Sequence, residues 1–565
     1  MKAKRKILIN SMLVALFAII LVSCSSKLTP LSSSLFSVSP SPMEVQGTKI
    51  PVTVNGRFPE NWFNKNAEVT VTPILKTGNS EKYGTSVTYQ GESVAGNGIV
   101  IPQKQGGAFT IKSEFDYEDG MTNPELYLRF TSRIKNKTVE LPDVKVAEGL
   151  ITTVTLANAY TNTPSEAPDD FQKLIKESYD ANILFLIQQA QLRSSELNSS
   201  NLAAWKNLVK SADENNKQKV NVEVQAYASP DGGYKLNEKL AGEREKNTSE
   251  YLEKEFDKQN INTNIYANYT AQDWEGFKKL VEASSLQDKD LVLRVLSMYN
   301  DPADREREIK NISIVYKDLA ETILPQLRRS RLVANIETIG KTDAELLQAV
   351  STNPSSLNIN ELLYTANLPG APAEKIYNVV TQKYPNDYRG WNNLGAYYYS
   401  HGQVDAAKQA FAKAQQLDSR AAEPSVNLGL LALADNDVPK AEQLIGSASN
   451  ANTASEALGL LYLKKGDYSR AVQSFGNTKS NNAALAQILT KNYSQAEQTL
   501  SGVENKDATT SYLKAIVAAR TNDASGVASA LNDAFSADPS LRQRASSDME
   551  FAKFANNAVV SGLLK

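Results

Sequence analysis

Few side chains in this chain of 565 residues have the chemistry needed for catalysis or metal binding. The sequence contains one cysteine, Cys24, and one histidine, His401, which excludes an internal disulfide or a cluster of Cys and His metal ligands. His401 lies between Ser400 and Gly402, a context typical of an exposed turn rather than of a general base. The sequence has no nucleophile elbow, phosphate-binding glycine loop or zinc motif. We therefore expect a protein that is not an enzyme and that needs no cofactor or metal.

Cys24 ends an N-terminal segment that carries export signals. Basic residues at the start of the chain precede an apolar run from Met12 to Val22. This run is shorter than the roughly 20 apolar residues of a membrane span, and it predicts a cleaved signal peptide over residues 1–23. The ending Leu-Val-Ser-Cys resembles the lipobox of bacterial lipoproteins, which implies that the Cys24 thiol is lipidated. The implied location is the outer membrane, and the absence of acidic residues just after Cys24 favours its periplasmic face over the export seen in some Bacteroidetes lipoproteins.

The first part of the mature chain has a strand-like pattern. Apolar and polar residues alternate over 50–54, 69–71, 109–111 and 126–130, and turn pairs such as Asn55-Gly56 separate these runs. Short strands with regular turns predict an all-β sandwich of about seven strands over residues 24–157. Residues 158–170, rich in Pro, Asn and Thr, are predicted to be a linker.

A strand, a sharp turn and a long helix follow one another in the middle of the chain. Apolar residues alternate over 220–226, the turn carries Ser229 and Asp231, and the helix carries Asn237 and Arg244. This arrangement resembles the OmpA-like peptidoglycan-binding domain in the variant found in Bacteroidetes envelope proteins. The resemblance extends over residues 171–340 and implies a central α/β domain.

The resemblance also implies a set of peptidoglycan-binding residues. In the OmpA-like family an aspartate and a helix arginine, at a fixed spacing in the sequence, hold the diaminopimelate of the stem peptide, and the planar arginine fork suits a carboxylate. Arg244 matches the family arginine, but that spacing places Ser229 where the family has its aspartate. Asp231, two positions further on, is the expected substitute, and Asn237 completes the site. In the alternative interpretation, the fold is retained without its ligand and Arg244 extends into solvent.

Helical repeats are predicted for residues 341–565. The segment that contains Gly395 recurs around Gly429, and the same interval separates Ala407 from Ala441. Small residues are expected where paired helices approach closely. The pattern resembles tetratricopeptide repeats and implies an all-α solenoid whose groove binds a protein partner. Shorter intervals after Ala441 argue against a regular superhelix in the last repeats.

The predicted chain is thus a multidomain, lipid-anchored protein. The near-balanced charge of −2 gives no basic field for nucleic acid. One hypothesis is a structural scaffold that attaches to peptidoglycan and holds an unidentified protein partner in the repeat groove. The alternative is an assembly or chaperone-like factor for exported proteins whose OmpA-like domain no longer binds. A third hypothesis, glycan binding by the β-sandwich at the cell surface, depends on fold analogy alone.

Overall fold

The structure is a computed structural model that describes residues 28–121, 123–311 and 313–564. The predicted signal peptide, residues 1–23, and the predicted lipidation site Cys24 lie outside the described residues. Within the part of the chain that is described, no helix combines the length and the apolar character needed to span a membrane.

The chain divides into two compact units that differ from the predicted domains. One unit joins Met1–Pro168 to Pro372–Lys565, and the other is Asp169–Ala371. The α/β unit therefore extends past the predicted boundary at residue 340. Contacts within that unit explain the extension: the ring centroids of Phe171 and Tyr364 lie 4.4 Å apart, and Lys217 Nζ donates to Glu345 at 2.8 Å.

The β domain contains two larger sheets around a common apolar core, and β2 pairs in parallel with β12 in a separate two-stranded sheet. Three strands form one sheet in the order β1-β3-β8, while the larger sheet follows the path β10-β9-β4-β6-β7, with β11 beside β9 and β5 beside β4. Residues predicted to point inwards, such as Val52 and Leu128, are buried in this core. The structure has more strands than predicted because several of them are very short. The strands are β1 Phe36–Ser39, β2 Met43–Glu44, β3 Lys49–Phe58, β4 Ala67–Thr77, β5 Ser80–Tyr83, β6 Val87–Gly91, β7 Ile99–Ile101, β8 Gly107–Asp116, β9 Glu125–Ile134, β10 Lys137–Glu140, β11 Val144–Glu148 and β12 Leu150–Ile151.

The α/β unit is built on a four-stranded mixed sheet with the order β13-β16-β14-β15. Strands β14 and β15 are parallel, whereas β16 runs antiparallel to both β13 and β14. The strands are β13 Leu174–Leu184, β14 Gln218–Tyr227, β15 Asn264–Thr270 and β16 Arg329–Ile339. The helices are α1 Ser194–Leu197, α2 Ser200–Asp213, α3 Tyr234–Gln259, α4 Trp274–Ala283, α5 Lys289–Met298, α6 Pro302–Asn311, α7 Ser313–Thr322, α8 Leu324–Leu327, α9 Asp343–Thr352 and α10 Ile359–Ala366.

Helices α2 and α3 cover one face of this sheet. Trp205 of α2 and Phe256 of α3 pack with Val222 and Leu332 of the sheet in one apolar cluster. The alternation that predicts β14 is confirmed, since its buried residues are every second one along the strand. The predicted strand, turn and helix of the middle domain are therefore β14, residues 228–233 and α3.

The C-terminal region is all-helical and consists of successive helix pairs. After α11, the helices pair as α12 with α13, α14 with α15, α16 with α17, α18 with α19 and α20 with α21. The helices are α11 Ala373–Lys383, α12 Tyr388–Ser400, α13 Val404–Leu417, α14 Ala422–Ala434, α15 Val438–Gly446, α16 Ala454–Lys465, α17 Tyr468–Phe475, α18 Asn481–Leu489, α19 Tyr493–Ser501, α20 Ala508–Arg520, α21 Ala524–Ala537 and α22 Leu541–Ser547. Short 3₁₀ helices occupy Ser33–Leu35, Thr153–Leu156, Ala159–Thr161, Pro354–Ser356 and Met549–Phe554.

The irregular spacing of the later repeats has a simple structural cause. The second helix of the first full pair, α13, has 14 residues, whereas α15 has 9, α17 has 8 and α19 has 9. The shorter second helices reduce the sequence interval while the pairing itself continues through α20 and α21. The stacking of helix pairs thus extends beyond the point where the sequence pattern becomes irregular.

Candidate functional site

Three of the buried asparagines on the first helices of the repeat pairs each bond to both main-chain groups of one residue, and we call these three the asparagine ladder. Asn393 lies on α12, Asn427 on α14 and Asn482 on α18, and none is more than 1% exposed. The neighbouring Asn392 is also buried and donates to the Ser165 carbonyl at 2.9 Å. Asn393 and Asn427 are separated by the same interval as Gly395 and Gly429, so they occupy the same position of successive repeats. The ladder contacts residues 158–168, which we call the strap.

Each ladder asparagine binds both main-chain groups of one strap residue. The Asn427 side chain accepts from the Ser165 N–H at 2.7 Å and donates to the Ser165 carbonyl at 2.8 Å. Asn393 makes the same two bonds to Ala167, at 2.8 and 3.0 Å. Asn482 makes them to Asn158, at 3.0 and 2.7 Å. The side-chain amides therefore satisfy the strap backbone in the way that a neighbouring β-strand would.

Further side chains of the repeats support the strap. The Tyr399 hydroxyl donates to the Ala159 carbonyl at 2.6 Å, and burial raises the pKa of Tyr399, which keeps this hydroxyl protonated as a donor. The Ser165 hydroxyl donates to Asn452 Oδ1 at 2.6 Å. Ser165 is fully buried, and Ala159 and Ala167 are nearly so.

These contacts describe the predicted linker in more detail. Residues 158–168 are packed against the repeats by hydrogen bonds along their length. The surface of the repeats at the asparagine ladder is therefore covered by the strap. An outside partner can bind at the ladder only where the strap has left it.

The predicted peptidoglycan-binding residues lie together at the turn after β14. Asn237 Nδ2 donates to the Ser229 carbonyl at 2.9 Å and to the Gly232 carbonyl at 2.8 Å, which fixes the shape of the turn. The Ser229 hydroxyl donates to Asp231. Asp231, the expected substitute for the family aspartate, therefore contacts Ser229, the residue at the position where the family has its aspartate.

Arg244 is buried beneath the loop that follows β13. Its side chain is 1% exposed and donates to the carbonyls of Tyr227 at 2.8 Å and Gln189 at 3.0 Å. The guanidinium carbon lies 5.0 Å from the centroid of the Phe185 ring. The prediction that Arg244 would extend into solvent if the ligand were lost is therefore wrong, because α3 turns this residue towards the sheet. A ligand carboxylate can reach Arg244 only if residues 186–189 move.

Sequence reasoning missed a second arginine at this turn, Arg328. It pairs with Asp231 Oδ2 at 3.1 Å, and its Nε donates to the Ser229 hydroxyl at 3.2 Å. The available signal was the cluster of cations in Leu-Arg-Arg-Ser-Arg, residues 327–331. Arg328 lies directly before β16, which begins at Arg329 and is largely buried.

The charges at the turn are not balanced. Burial, with a smaller effect from the nearby charge of Arg328, lowers the pKa of Arg244 to about 10, so it stays charged at neutral pH. Among the described residues, Asp231 is the one carboxylate whose charge affects the pKa of Arg244, and it raises that pKa. Two guanidinium groups with one carboxylate leave a net positive charge, which favours an anion.

The remaining sequence candidates have local roles. His401 ends α12, its Nδ1 lies 2.7 Å from the Tyr397 carbonyl, and its ring stacks on Tyr397 at 4.0 Å. Tyr399 belongs to the apolar core of the helical repeats. Among residues with described positions, no group of acidic, His or Cys side chains is arranged to hold a metal ion.

Comparison with known proteins gives similarity to solved structures only. No protein-family model matches the chain, and no curated protein matches it. The structure of pilF from Pseudomonas aeruginosa is 17% identical, with a TM-score of 0.26, over 38% of this chain and 99% of its own. A tetratricopeptide repeat protein from Parabacteroides merdae is 14% identical, with a TM-score of 0.27, over 39% of this chain and 89% of its own. YrrB, a tetratricopeptide repeat protein with an unusual peptide-binding site, is 17% identical, with a TM-score of 0.22, over 29% of this chain and 92% of its own. TM-scores this low transfer no function to this chain.

Proposed function

We propose that this protein is a non-enzymatic interaction scaffold of the bacterial cell envelope, anchored in the outer membrane through a lipid on Cys24 and facing the periplasm. Its helical repeats hold protein segments, and its α/β unit attaches to peptidoglycan. The observation that carries the proposal is the asparagine ladder, whose side chains already hold a stretch of polypeptide by its main chain.

The peptidoglycan part of the proposal is supported by the residues at the β14 turn. Arg244, Arg328 and Asp231 combine an excess positive charge with one carboxylate, which suits a ligand that carries both a carboxylate and an amine, such as diaminopimelate. In this proposal the loop 186–189 opens to let the ligand carboxylate reach Arg244.

Co-sedimentation with peptidoglycan sacculi tests this part on the full mature chain. The protein should sediment with sacculi, and Asp231→Ala should weaken binding by about tenfold or more, the effect expected for a lost charge-assisted contact of about 1.4 kcal/mol or more. Free diaminopimelate should compete. Asp257→Ala is the matched control, because Asp257 is an exposed aspartate on α3. Absence of sedimentation by a folded wild-type protein would refute peptidoglycan attachment.

The anchor is tested separately by metabolic labelling with a fatty acid and by membrane fractionation. The wild type should carry the label and fractionate with outer membranes, whereas Cys24→Ser should carry none and be released in the soluble fraction. Equal fractionation of the two proteins would refute the lipid anchor.

A second candidate function is an assembly or chaperone-like factor for exported proteins, with an α/β unit that binds no wall component. The burial of Arg244, whose side chain donates to main-chain carbonyls, favours this alternative. In that case sacculi should not retain the protein, and the repeats alone would account for its function.

A further inference from the structure

We propose that Asn393 and Asn427 of the asparagine ladder form a binding site for an extended peptide with small side chains at two positions separated by one residue, and that the strap is the built-in occupant of this site, which such a peptide must displace. This inference rests on the proposed role of the repeats in holding protein segments and adds the chemistry of the segment. In the closed state the strap occupies the ladder, and in the open state a peptide has displaced the strap.

Recognition at the ladder is directed at main-chain atoms. Asn393 and Asn427 each accept from an N–H and donate to a carbonyl of the same strap residue. These bonds are available to any extended peptide, whatever its side chains, as in peptides that add a strand to a sheet edge. The ladder therefore accepts sequences other than the strap, provided that they are extended.

Side-chain size adds selectivity. Ser165 is 0% exposed and Ala167 is 4% exposed, Glu166 between them is exposed, and Pro164 before them is buried as well, so burial alternates only over residues 165–167. Alternate residues of an extended chain point to opposite sides, so Ser165 and Ala167 fall on the side that faces the repeats. A side chain much larger than Ser or Ala has no room there, and the Asn452 amide next to Ser165 favours a hydroxyl. The expected ligand is an extended segment with small residues at two positions separated by one residue.

Covalent attachment makes the strap a strong competitor. A tethered segment competes at an effective concentration of about 1 mM, so the wild-type groove should bind a free peptide only weakly even when the intrinsic affinity is high. Substitutions that expel the strap should therefore increase the affinity for a free peptide, although they add no contact to it.

Fluorescence anisotropy on the full chain tests this. The probe is a labelled synthetic peptide with the sequence of residues 158–168. The double variant Ser165→Trp/Ala167→Trp should bind it at least tenfold more tightly than the wild type, because the bulky side chains expel the strap. Adding Asn393→Ala and Asn427→Ala should abolish that gain. Thr163→Trp, at an exposed position of the strap, is the matched control and should bind like the wild type.

Equal binding by the wild type and the folded double variant would overturn the proposal, as would a gain that survives loss of both asparagines. If the double variant does not fold, hydrogen exchange on the wild type serves instead. A large excess of the unlabelled peptide should then accelerate exchange of the Ser165 and Ala167 amides in the protein, and unchanged exchange would overturn the proposal. Sedimentation with sacculi and labelling of Cys24 do not involve the ladder, so they fail or succeed independently of this result.

Discussion

Asn427 provides hydrogen-bond partners to main-chain groups that are buried away from water. Its side chain is fully buried and bonds to both main-chain groups of Ser165 and to Asn392 Oδ1 at 3.0 Å. A buried peptide group without a partner is costly, because folding removes the water that would otherwise satisfy it. The asparagine ladder therefore makes the burial of an irregular segment energetically acceptable.

Replacement of Asn427 measures this contribution. Asn427→Ala leaves the Ser165 N–H without an acceptor in a buried site, and we expect the free energy of unfolding to fall by about 2–3 kcal/mol. Urea denaturation followed by circular dichroism is the measurement. Asn532→Ala, at an exposed helical asparagine of α21, should change the free energy by less than about 0.5 kcal/mol. Equal effects of the two substitutions would contradict the role of Asn427.

At the residue scale the sequence predicted the placement of some residues at the β14 turn and could not predict their surroundings. Asp231 and Asn237 stand at the turn as expected, because a strand, a turn and a helix are adjacent in the chain. The burial of Arg244 depends on Gln189, which lies on a distant loop, and no local pattern encodes that contact. The ladder asparagines resembled ordinary repeat positions, since their partners in the strap are far away in the sequence.

At the scale of elements, close helix contact explains the glycines of the repeats. A Cβ added at Gly395 would lie 2.6 Å from Phe411 Cδ1, and at Gly459 it would lie 2.8 Å from the ring of Phe475. Real Cβ contacts are not so short, so the first and second helices of each pair would have to separate. The expectation that small residues mark close helix approach is confirmed here.

This packing predicts opposite effects on stability for alanine substitutions at a crowded and at an open glycine. Gly395→Ala should lower the free energy of unfolding by about 1–3 kcal/mol through overpacking against Phe411. Gly446→Ala, at the end of α15, meets no atom within 4 Å and should be neutral or stabilise the protein by up to about 1 kcal/mol through helix propensity. Thermal denaturation of both variants is the measurement. A gain in stability for Gly395→Ala would contradict the packing described here.

The elements themselves were largely predictable, because the alternation of β14 and the recurrence of the repeat segment are local patterns. The repeat helices continue where the interval shortens, since pairing depends on the apolar faces rather than on a fixed length.

At the scale of the whole molecule, the chain order does not predict the compact units. The β domain and the repeats are separated in sequence by the whole α/β unit, yet they form one unit. Arg520 of α20 bonds to Glu550 at 3.0 Å and to Glu44 of β2 at 3.3 Å, and the Gly47 N–H donates to the Tyr468 hydroxyl at 3.2 Å. Such segments resemble separate domains in the sequence because long-range contacts leave no periodic signal.

The strap is the part of this unit on which the account of function depends. It follows the β domain in the chain and is bound along the repeats by Asn482, Asn427 and Asn393. The ladder thus holds a segment of the protein's own chain, and in our proposal this segment occupies a site for other peptides.

Amide hydrogen exchange of the full mature chain tests this central claim most directly. The Ser165 and Ala167 amides donate to buried asparagines, so they should exchange at least 100-fold more slowly than in an unstructured peptide of the same sequence, and Asn393→Ala/Asn427→Ala should remove most of that protection. Exchange of both amides at the unstructured rate in the wild type would contradict the account, because the strap would then lie free of the repeats.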